Sequence, residues 1–186
     1  MIEIVLLTAL LGKIKHYKMR YLFRAWSFYP VLVTQIILVL LQLSIFLGYY
    51  GFVQYASWIK TAMILSFIFP LLSFRLYRPA FIGSGSIVLG TLLNRLAIAQ
   101  NNGKMPVFPS LSYWTGYVKP GTFDAIRDIH VLGTMDTNLK FLTDYIDFGY
   151  SILSPGDLLI HFFPLLMFYS LMKRVNLQYN PQYKAS

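Results

Sequence analysis

The stretch from Phe28 to Tyr50 contains no charged side chain. A helix needs about 20 apolar residues to cross the roughly 30 Å hydrocarbon core of a bilayer. Because backbone polar groups in lipid must be hydrogen-bonded internally, such a stretch spans the membrane as a helix. Tyr29, Tyr49 and Tyr50 lie at its ends, where aromatic side chains favour the membrane interface. The sequence therefore predicts a transmembrane helix over residues 28–50.

Three further apolar stretches predict transmembrane helices. They cover residues 57–74, 80–100 and 155–172. Pro70 predicts a kink in the first of them, because proline lacks the backbone N–H of a helical hydrogen bond. At the start of the last one, Ser154 is suited to cap the helix, Pro155 suits its first turn, and Asp157 can complete a capping box.

Composition and charge favour a membrane protein over a soluble one. Hydrophobic residues make up 56% of the chain and charged residues 12%, against about 25% charged residues in soluble domains. The net charge is +9, but the basic residues flank the apolar stretches. Anionic lipid head groups therefore explain the charge better than nucleic acid does, and no nucleic-acid partner is predicted.

The basic residues also predict an orientation. Residues 13–27 form a basic interfacial segment, and residues 13–24 of it are expected to bind anionic lipids. Placing this segment in the cytoplasm puts the loop 101–154 outside a bacterial cytoplasmic membrane, as the positive-inside rule favours. The apolar residues 1–12 are short for a full crossing, so a thin fifth span and a membrane-dipping segment are both open.

The predicted fold is all-α: a polytopic membrane protein, residues 1–186 as a single integral membrane domain, with four transmembrane helices, a short N-terminal membrane segment and an ordered outer loop. Loops of such length are seldom idle connectors. Turn signals occur at Asn102-Gly103 and Pro120-Gly121, and residues 122–132 have a helical pattern.

Small residues on the third predicted helix indicate close helix packing. Gly83, Ser86 and Gly90 are the candidates, and Ser86 and Gly90 form a small-xxx-small pair. The glycines follow no predicted strand, which argues against a dinucleotide-binding motif.

Ionisable residues within or beside the predicted helices are candidates for ligand binding or coupling. Arg95 would need a partner if buried, and Asp157 is the expected one; alternatively Arg95 extends to the outer interface. Asp157 and His161 share a helix face and could relay protons or bind a metal, although a cap and a hydrogen-bonded histidine explain them more simply.

The outer loop adds polar candidates. Asp124, Asp128 and His130 could bind a cation, but Arg127 beside them favours a solvated ion-pair surface. Asp144 and Asp147 form an acidic patch, and Asn102 lies in a predicted turn. The chain has no cysteine, and no catalytic set, cofactor motif or metal motif is predicted.

Two stretches contain sequence motifs. Residues 92–107 end in an N-G-x-M-P-V turn that begins at Asn102, and residues 130–159 include T-x-L-x-x-L-x-D at 137–144 and S-x-G-D at 154–157. This pattern resembles a family of small bacterial integral membrane proteins that is catalogued as a domain of unknown function. Asn138 and Lys140 depart from the family's pattern. The resemblance implies no activity, but it implies that the loop and the start of the last helix form one unit.

Three functions fit these features. A non-catalytic subunit or accessory of a membrane complex would dock through the Ser86/Gly90 face onto a membrane protein partner. A small-molecule or ion carrier would use Arg95, Asp157 and His161. An enzyme acting on lipid head groups at the outer face would use the Asp and His residues of the loop and of the last helix. The absence of a catalytic spacing favours the first.

Overall fold

The computed structural model describes residues 2–125 and 128–183, so that Arg127 and the terminal residues are outside it. Its α-helices are α1 (Ile2–Ile14), α2 (Tyr29–Phe46), α3 (Ala56–Ser66), α4 (Ile68–Phe74), α5 (Tyr77–Gln100), α6 (Leu111–Thr115), α7 (Thr122–Ala125) and α8 (Pro155–Tyr179). Its strands are β1 (Met105–Val107), β2 (His130–Leu132), β3 (Ile146–Asp147) and β4 (Ile152–Leu153).

Four helical segments of the described chain are long and apolar enough to cross a membrane. They are Trp26–Phe46, Val53–Phe74, Tyr77–Gln100 and Pro155–Tyr179. The prediction of an all-α polytopic membrane protein with four spans is confirmed.

The first span ends earlier than the apolar stretch does. α2 stops at Phe46 instead of continuing to Tyr50. Gly48 takes a left-handed conformation with φ of 81°, and the backbone N–H of Tyr49 donates to the carbonyl of Ser44 at 2.9 Å. A glycine in this conformation terminates helices because it has no Cβ to clash. Hydropathy alone does not register this stop signal.

The second span is two helices instead of one kinked helix. α3 and α4 are separated at Phe67, three residues before Pro70. The ring of Pro70 clashes with the carbonyl four residues earlier, at Ser66, and Pro70 has no N–H to donate to it. The break in the helix that Pro70 causes therefore lies about one turn N-terminal to Pro70 itself.

The last span is longer than predicted. α8 continues from Met172 to Tyr179, past the charged pair Lys173 and Arg174. Charges end an apolar stretch, but they do not end a helix. Val175 and Asn176 are fully buried on this extension, so packing of one face stabilises it beyond the apolar stretch.

The chain forms two compact units, of which the first comprises residues 1–39, 58–85 and 161–186. Here α1 lies along α8: Glu3 Oε1 is 3.2 Å from His161 Nδ1, and Gly12 lies against the side chain of Met172. The basic segment of residues 13–27 contains the end of α1 and two short 3₁₀ turns, Met19–Arg24 and Trp26–Phe28.

The second unit comprises residues 40–57 and 86–160 and contains the loop. β1 pairs in parallel with β2, and β3 pairs antiparallel with β4. In the stretch 122–132, for which a helix is predicted, the described residues form α7 and then β2. Met105 is buried with Ala97 of α5 and Leu142 of the loop. The loop is thus a folded layer that is anchored on the end of α5.

Glycines set the distance between α5 and α8. A Cβ on Gly90 would lie 2.3 Å from the carbonyl oxygen of Gly156, and a Cβ on Gly83 would lie 2.7 Å from the ring of Phe163. Ser86 lies between these two glycines in the sequence, and its side chain is half-buried. In membranes, small residues of this kind allow helix backbones to approach closely. The predicted small-residue face therefore packs against a helix of the same chain.

We expect Gly90→Ala to destabilise the protein by about 1–3 kcal/mol, because the added methyl group overlaps a backbone atom that cannot rotate away. Gly85→Ala is the matched control on the same helix, since a Cβ there meets nothing within 4 Å. Thermal unfolding in detergent micelles measures both variants. Equal midpoints for the two variants would contradict the close contact.

Candidate functional site

A group of polar side chains joins the start of α8 to α5. Asp157 Oδ1 accepts a 2.9 Å hydrogen bond from Asn94 Nδ2, and Asp157 Oδ2 accepts one of 3.2 Å from the backbone N–H of Ser154. Ser154 Oγ accepts from the N–H of Asp157 at 2.9 Å and donates to Asn94 Oδ1 at 2.8 Å. The predicted capping box is present, and Asn94 connects it to the neighbouring helix.

Gly156 makes this arrangement possible. A Cβ on Gly156 would lie 2.0 Å from Asn94 Oδ1, so only glycine leaves room for the amide. Asn94 was not among the residues singled out from the sequence. Its position one turn from Gly90 on the same helix face could have indicated it, since both residues then face the start of α8.

Arg95 does not join this group. Its side chain is exposed, and among the described residues it forms no ion pair with Asp157. The simpler expectation, that Arg95 extends to the surface of the helix end, agrees with its exposure. Asp157 is therefore held by neutral donors and by the N-terminus of α8, which favours a carboxylate.

His161 has a different partner from Asp157. Its Nδ1 lies 3.2 Å from Glu3 Oε1, and each side chain is 14% exposed. A carboxyl group and an imidazole thus meet inside the first unit. Glu3 was not predicted as a partner, because it is separated from His161 by most of the chain.

Asp144 lies in a second polar cluster, in the loop. It is 3% exposed, and its Oδ2 is 3.5 Å from His130 Nε2. On the other side of the ring, His130 Nδ1 is 2.7 Å from Asp128 Oδ2. Both ring nitrogens therefore face carboxylates. The cluster joins β2 to the segment that contains Asp144. A parallel bridge between Val107 of β1 and Asp144 holds the same segment.

Asp147 organises the loop around α6. Its Oδ2 accepts hydrogen bonds from the backbone N–H groups of Ser110 and Ser112 at 2.7 and 2.8 Å. Its Oδ1 accepts from Ser112 Oγ at 2.5 Å and from the N–H of Gly149 at 2.7 Å. Burial alone would raise the pKa of Asp147, but these donors hold it below its ordinary value of 3.8.

The turn after α5 is built from two asparagines. Asn102 is exposed, and with φ of 55° it occupies the left-handed region that asparagine tolerates. Asn101 forms the contacts instead: its Nδ2 donates to the carbonyl of Asn138 at 2.9 Å, and its Oδ1 accepts from the N–H of Asn138 at 2.9 Å. Asn102 shapes the turn, and Asn101 connects it to the loop.

Tyrosine and threonine side chains connect the loop to the end of α2. Tyr50 and Thr122 hydroxyls lie 3.3 Å apart, and Gln42 Nε2 donates to the carbonyl of Tyr150 at 2.7 Å. Burial, with Tyr50 and Asp147 nearby, raises the pKa of Tyr117 to about 12. The phenol is thus neutral at neutral pH.

No group of three or more His, Asp or Glu side chains suited to a metal ion occurs in residues 2–125 and 128–183. Asp124 is exposed in α7, whereas Asp128 lies outside the described helices.

Comparison with known proteins assigns a family. The chain belongs to the family described as "Family of unknown function (DUF5317)", which matches residues 20–169. The prediction of an uncharacterised family is confirmed. The matched range includes all of α2 to α7 and the start of α8, and it leaves out α1. No curated protein and no solved structure matches the chain.

We expect Asp157→Asn to lower the free energy of unfolding by about 1–2 kcal/mol, because an amide replaces an acceptor of two hydrogen bonds and brings an unmatched N–H₂ group towards Asn94. Asp136→Asn is the matched control, since Asp136 is exposed in the same chain. Chemical unfolding in micelles measures the difference. An unchanged stability would show that the Asn94 contact contributes nothing.

The lowered pKa of Asp147 predicts an acid transition of the loop. A carboxyl group with a depressed pKa stabilises the fold above its ordinary value of 3.8, and this stabilisation is lost as the pH falls below that value. Trp114 of α6 reports the transition by fluorescence in a Trp26→Phe, Trp58→Phe background. Asp147→Asn should reduce the pH dependence below 3.8, whereas Asp136→Asn should retain it; identical profiles would refute the assignment.

Proposed function

We propose that this protein is a non-catalytic subunit or accessory of a membrane complex, and that its folded loop binds the partner. The observation that carries the proposal is the contrast inside the loop. Its polar side chains hold the loop together, whereas several of its large apolar side chains lie at the surface.

The loop is held as a stiff structure. Asp147 accepts four hydrogen bonds around α6, and Asn101 and Asn138 join the turn after α5 to the segment before residue 140. Two strand pairs add backbone hydrogen bonds. A surface that is ordered before binding loses less conformational entropy when a partner binds.

Large apolar side chains of the loop are exposed in α6, where Trp114 is 87% exposed, and in residues 132–141. Met135 is 88% exposed, Phe141 is 64% exposed and Leu132 is 50% exposed. Large apolar side chains of this kind, surrounded by polar residues, are typical of protein interaction sites, and Met and Phe are enriched there. We define the partner surface as the exposed side chains of residues 132–141.

This surface replaces the docking face that the sequence suggested. Gly90 lies against Gly156 of the same chain, so a partner cannot approach it without displacing α8. The apolar loop segment needs no such displacement.

We also propose a bacterial cytoplasmic membrane, with the loop outside. In this proposed orientation, ten of the sixteen basic residues of the sequence fall in cytoplasmic segments, and five of the seven acidic residues fall in residues 101–154. The positive-inside rule supports this orientation.

Two further functions each have one supporting observation. The Glu3–His161 pair favours a carrier, because buried ionisable pairs within membrane helices often line ion or substrate paths. The arrangement of His130 between Asp128 and Asp144 favours an enzyme acting on lipid head groups. Both ring nitrogens already face carboxylates, which leaves neither directed at a substrate.

Purification from native membranes in a mild detergent tests the three functions together. We expect a stoichiometric protein partner, identified by mass spectrometry, that forms a covalent cross-link to a photoreactive residue placed at Met135. The same photoreactive residue at Lys104, which is exposed in the same loop, is the control and should give little cross-linking.

A lone protein without a cross-link from position 135 would contradict the subunit proposal. A small molecule or a lipid that is retained without a protein partner would favour a carrier or a lipid-head-group enzyme. A partner that cross-links equally from positions 104 and 135 would retain the subunit function and refute the assigned surface.

A further inference from the structure

A cavity of about 570 Å³ opens in the first unit, between the turn from α4 to α5 and the last turns of α8. This volume is within the range of sites that bind small molecules or head groups. Four basic side chains line it: Arg75, Arg78, Lys173 and Arg174. None of them belongs to the polar clusters around Asp157, Asp144 or Asp147.

The α4–α5 turn presents Arg75 in an unusual backbone conformation. Arg75 follows the last residue of α4 with φ of 52°, in the left-handed region. The N–H groups of Arg75 and Leu76 both donate to the carbonyl of Leu71, which closes the helix end. Glycine or asparagine would adopt this conformation with less strain, so the turn itself gives no reason for an arginine.

The opposite wall is one face of α8. Ser170, Lys173, Arg174 and Leu177 line the cavity, and their spacing of three, four and seven residues places them on the same side of a helix. Two cations of α8 therefore line the same cavity as Arg75 of the turn and Arg78 of α5.

This concentration of positive charge has no acidic counterpart. Of the residues in the first unit, Glu3 is the sole one with an acidic side chain, and Glu3 lies beside His161. None of the four basic side chains forms an ion pair with a carboxylate in the part of the chain that the structure describes. Cations placed this close repel one another unless an anion lies between them.

The rest of the lining indicates what the anion is attached to. Leu76, Tyr77, Pro79 and Leu177 bring apolar surface to the same cavity. It lies where one span ends at Phe74 and the next begins at Tyr77, and the ends of membrane-spanning helices meet the head-group layer of a bilayer. Basic pockets between transmembrane helices are suited to such head groups. A free phosphate would use the cations but not the apolar walls.

We infer that the cavity lined by Arg75, Arg78, Lys173 and Arg174 binds the phosphodiester head group of an anionic phospholipid, with an acyl chain along Tyr77 and Leu177. Arginine guanidinium groups donate paired hydrogen bonds to phosphate oxygens, and the lysine adds a point charge. This site is separate from the basic segment 13–24.

Native mass spectrometry of the full chain tests the site, by titration of delipidated protein with phosphatidylglycerol or with phosphatidylcholine of the same acyl chains. We expect tighter binding of phosphatidylglycerol, weakened roughly thirtyfold in the double variant Arg75→Asn, Arg174→Gln. Asparagine at position 75 removes the charge and tolerates the left-handed conformation.

The control variant is Lys60→Gln, Lys104→Gln, which removes the same charge from residues that do not line the cavity. It should bind phosphatidylglycerol as the wild type does. Equal affinity for the two lipids, unchanged binding in the first double variant, or equal losses in both double variants would overturn the proposal. Should the first double variant fail to fold, Arg78→Gln, Lys173→Gln is measured against the same expectations.

A competition experiment distinguishes the two sources of a phosphate group. Inorganic phosphate is added to the complex of wild-type protein and phosphatidylglycerol. Retention of the lipid at millimolar phosphate is the expected result. Displacement of the lipid at the same millimolar concentration of phosphate would assign the cavity to a soluble anion and overturn the lipid proposal.

Discussion

The contact between α5 and α8 at Gly90 and Gly156 is the constraint on which the second unit depends. In a membrane, lipid tails are as apolar as the helix surfaces, so apolar burial does not drive helices together. Backbone approach and polar bonds have to do so instead. The glycines bring Asn94 within reach of Asp157 and Ser154, whose hydrogen bonds then form away from water. The loop begins at the end of one helix and ends at the start of the other, so this contact also fixes its two ends.

The loop resolves a problem that follows from its length. A long connection carries many backbone polar groups, and each needs a hydrogen-bond partner when it is buried. Asp147 satisfies three backbone N–H groups by itself, and Asn101 pairs with both the N–H and the carbonyl of Asn138. The acidic and amide side chains thus satisfy the backbone, and the surface of the loop combines exposed apolar side chains such as Met135 with exposed charged ones such as Lys104 and Asp136.

The sequence predicts the spans and the start of α8, because bilayer thickness and helix capping act over short stretches of chain. It does not predict partners that are distant in sequence. Nothing near His161 indicates Glu3, and nothing near Ser112 indicates Asp147. The end of a helix is set by local backbone conformation, which hydropathy does not detect. The apolar stretch therefore predicts that α2 continues past Gly48, although the helix has ended before it. The short strands of the loop are missed because their pairing depends on tertiary contacts, and two or three residues give no periodic pattern.

The two units place charge in different chemical settings. In the second unit, carboxylates accept hydrogen bonds from backbone and side-chain donors within the loop, so their charge is compensated internally. In the first unit, cations surround a cavity, and the unit's sole acidic side chain is placed beside a histidine. Such a unit cannot neutralise itself, and its repulsion is relieved only by anions from outside the chain. For a protein of four membrane-spanning helices, the nearest concentrated source of anions is the lipid head-group layer, so the membrane completes the electrostatics of the fold as well as burying its apolar surface.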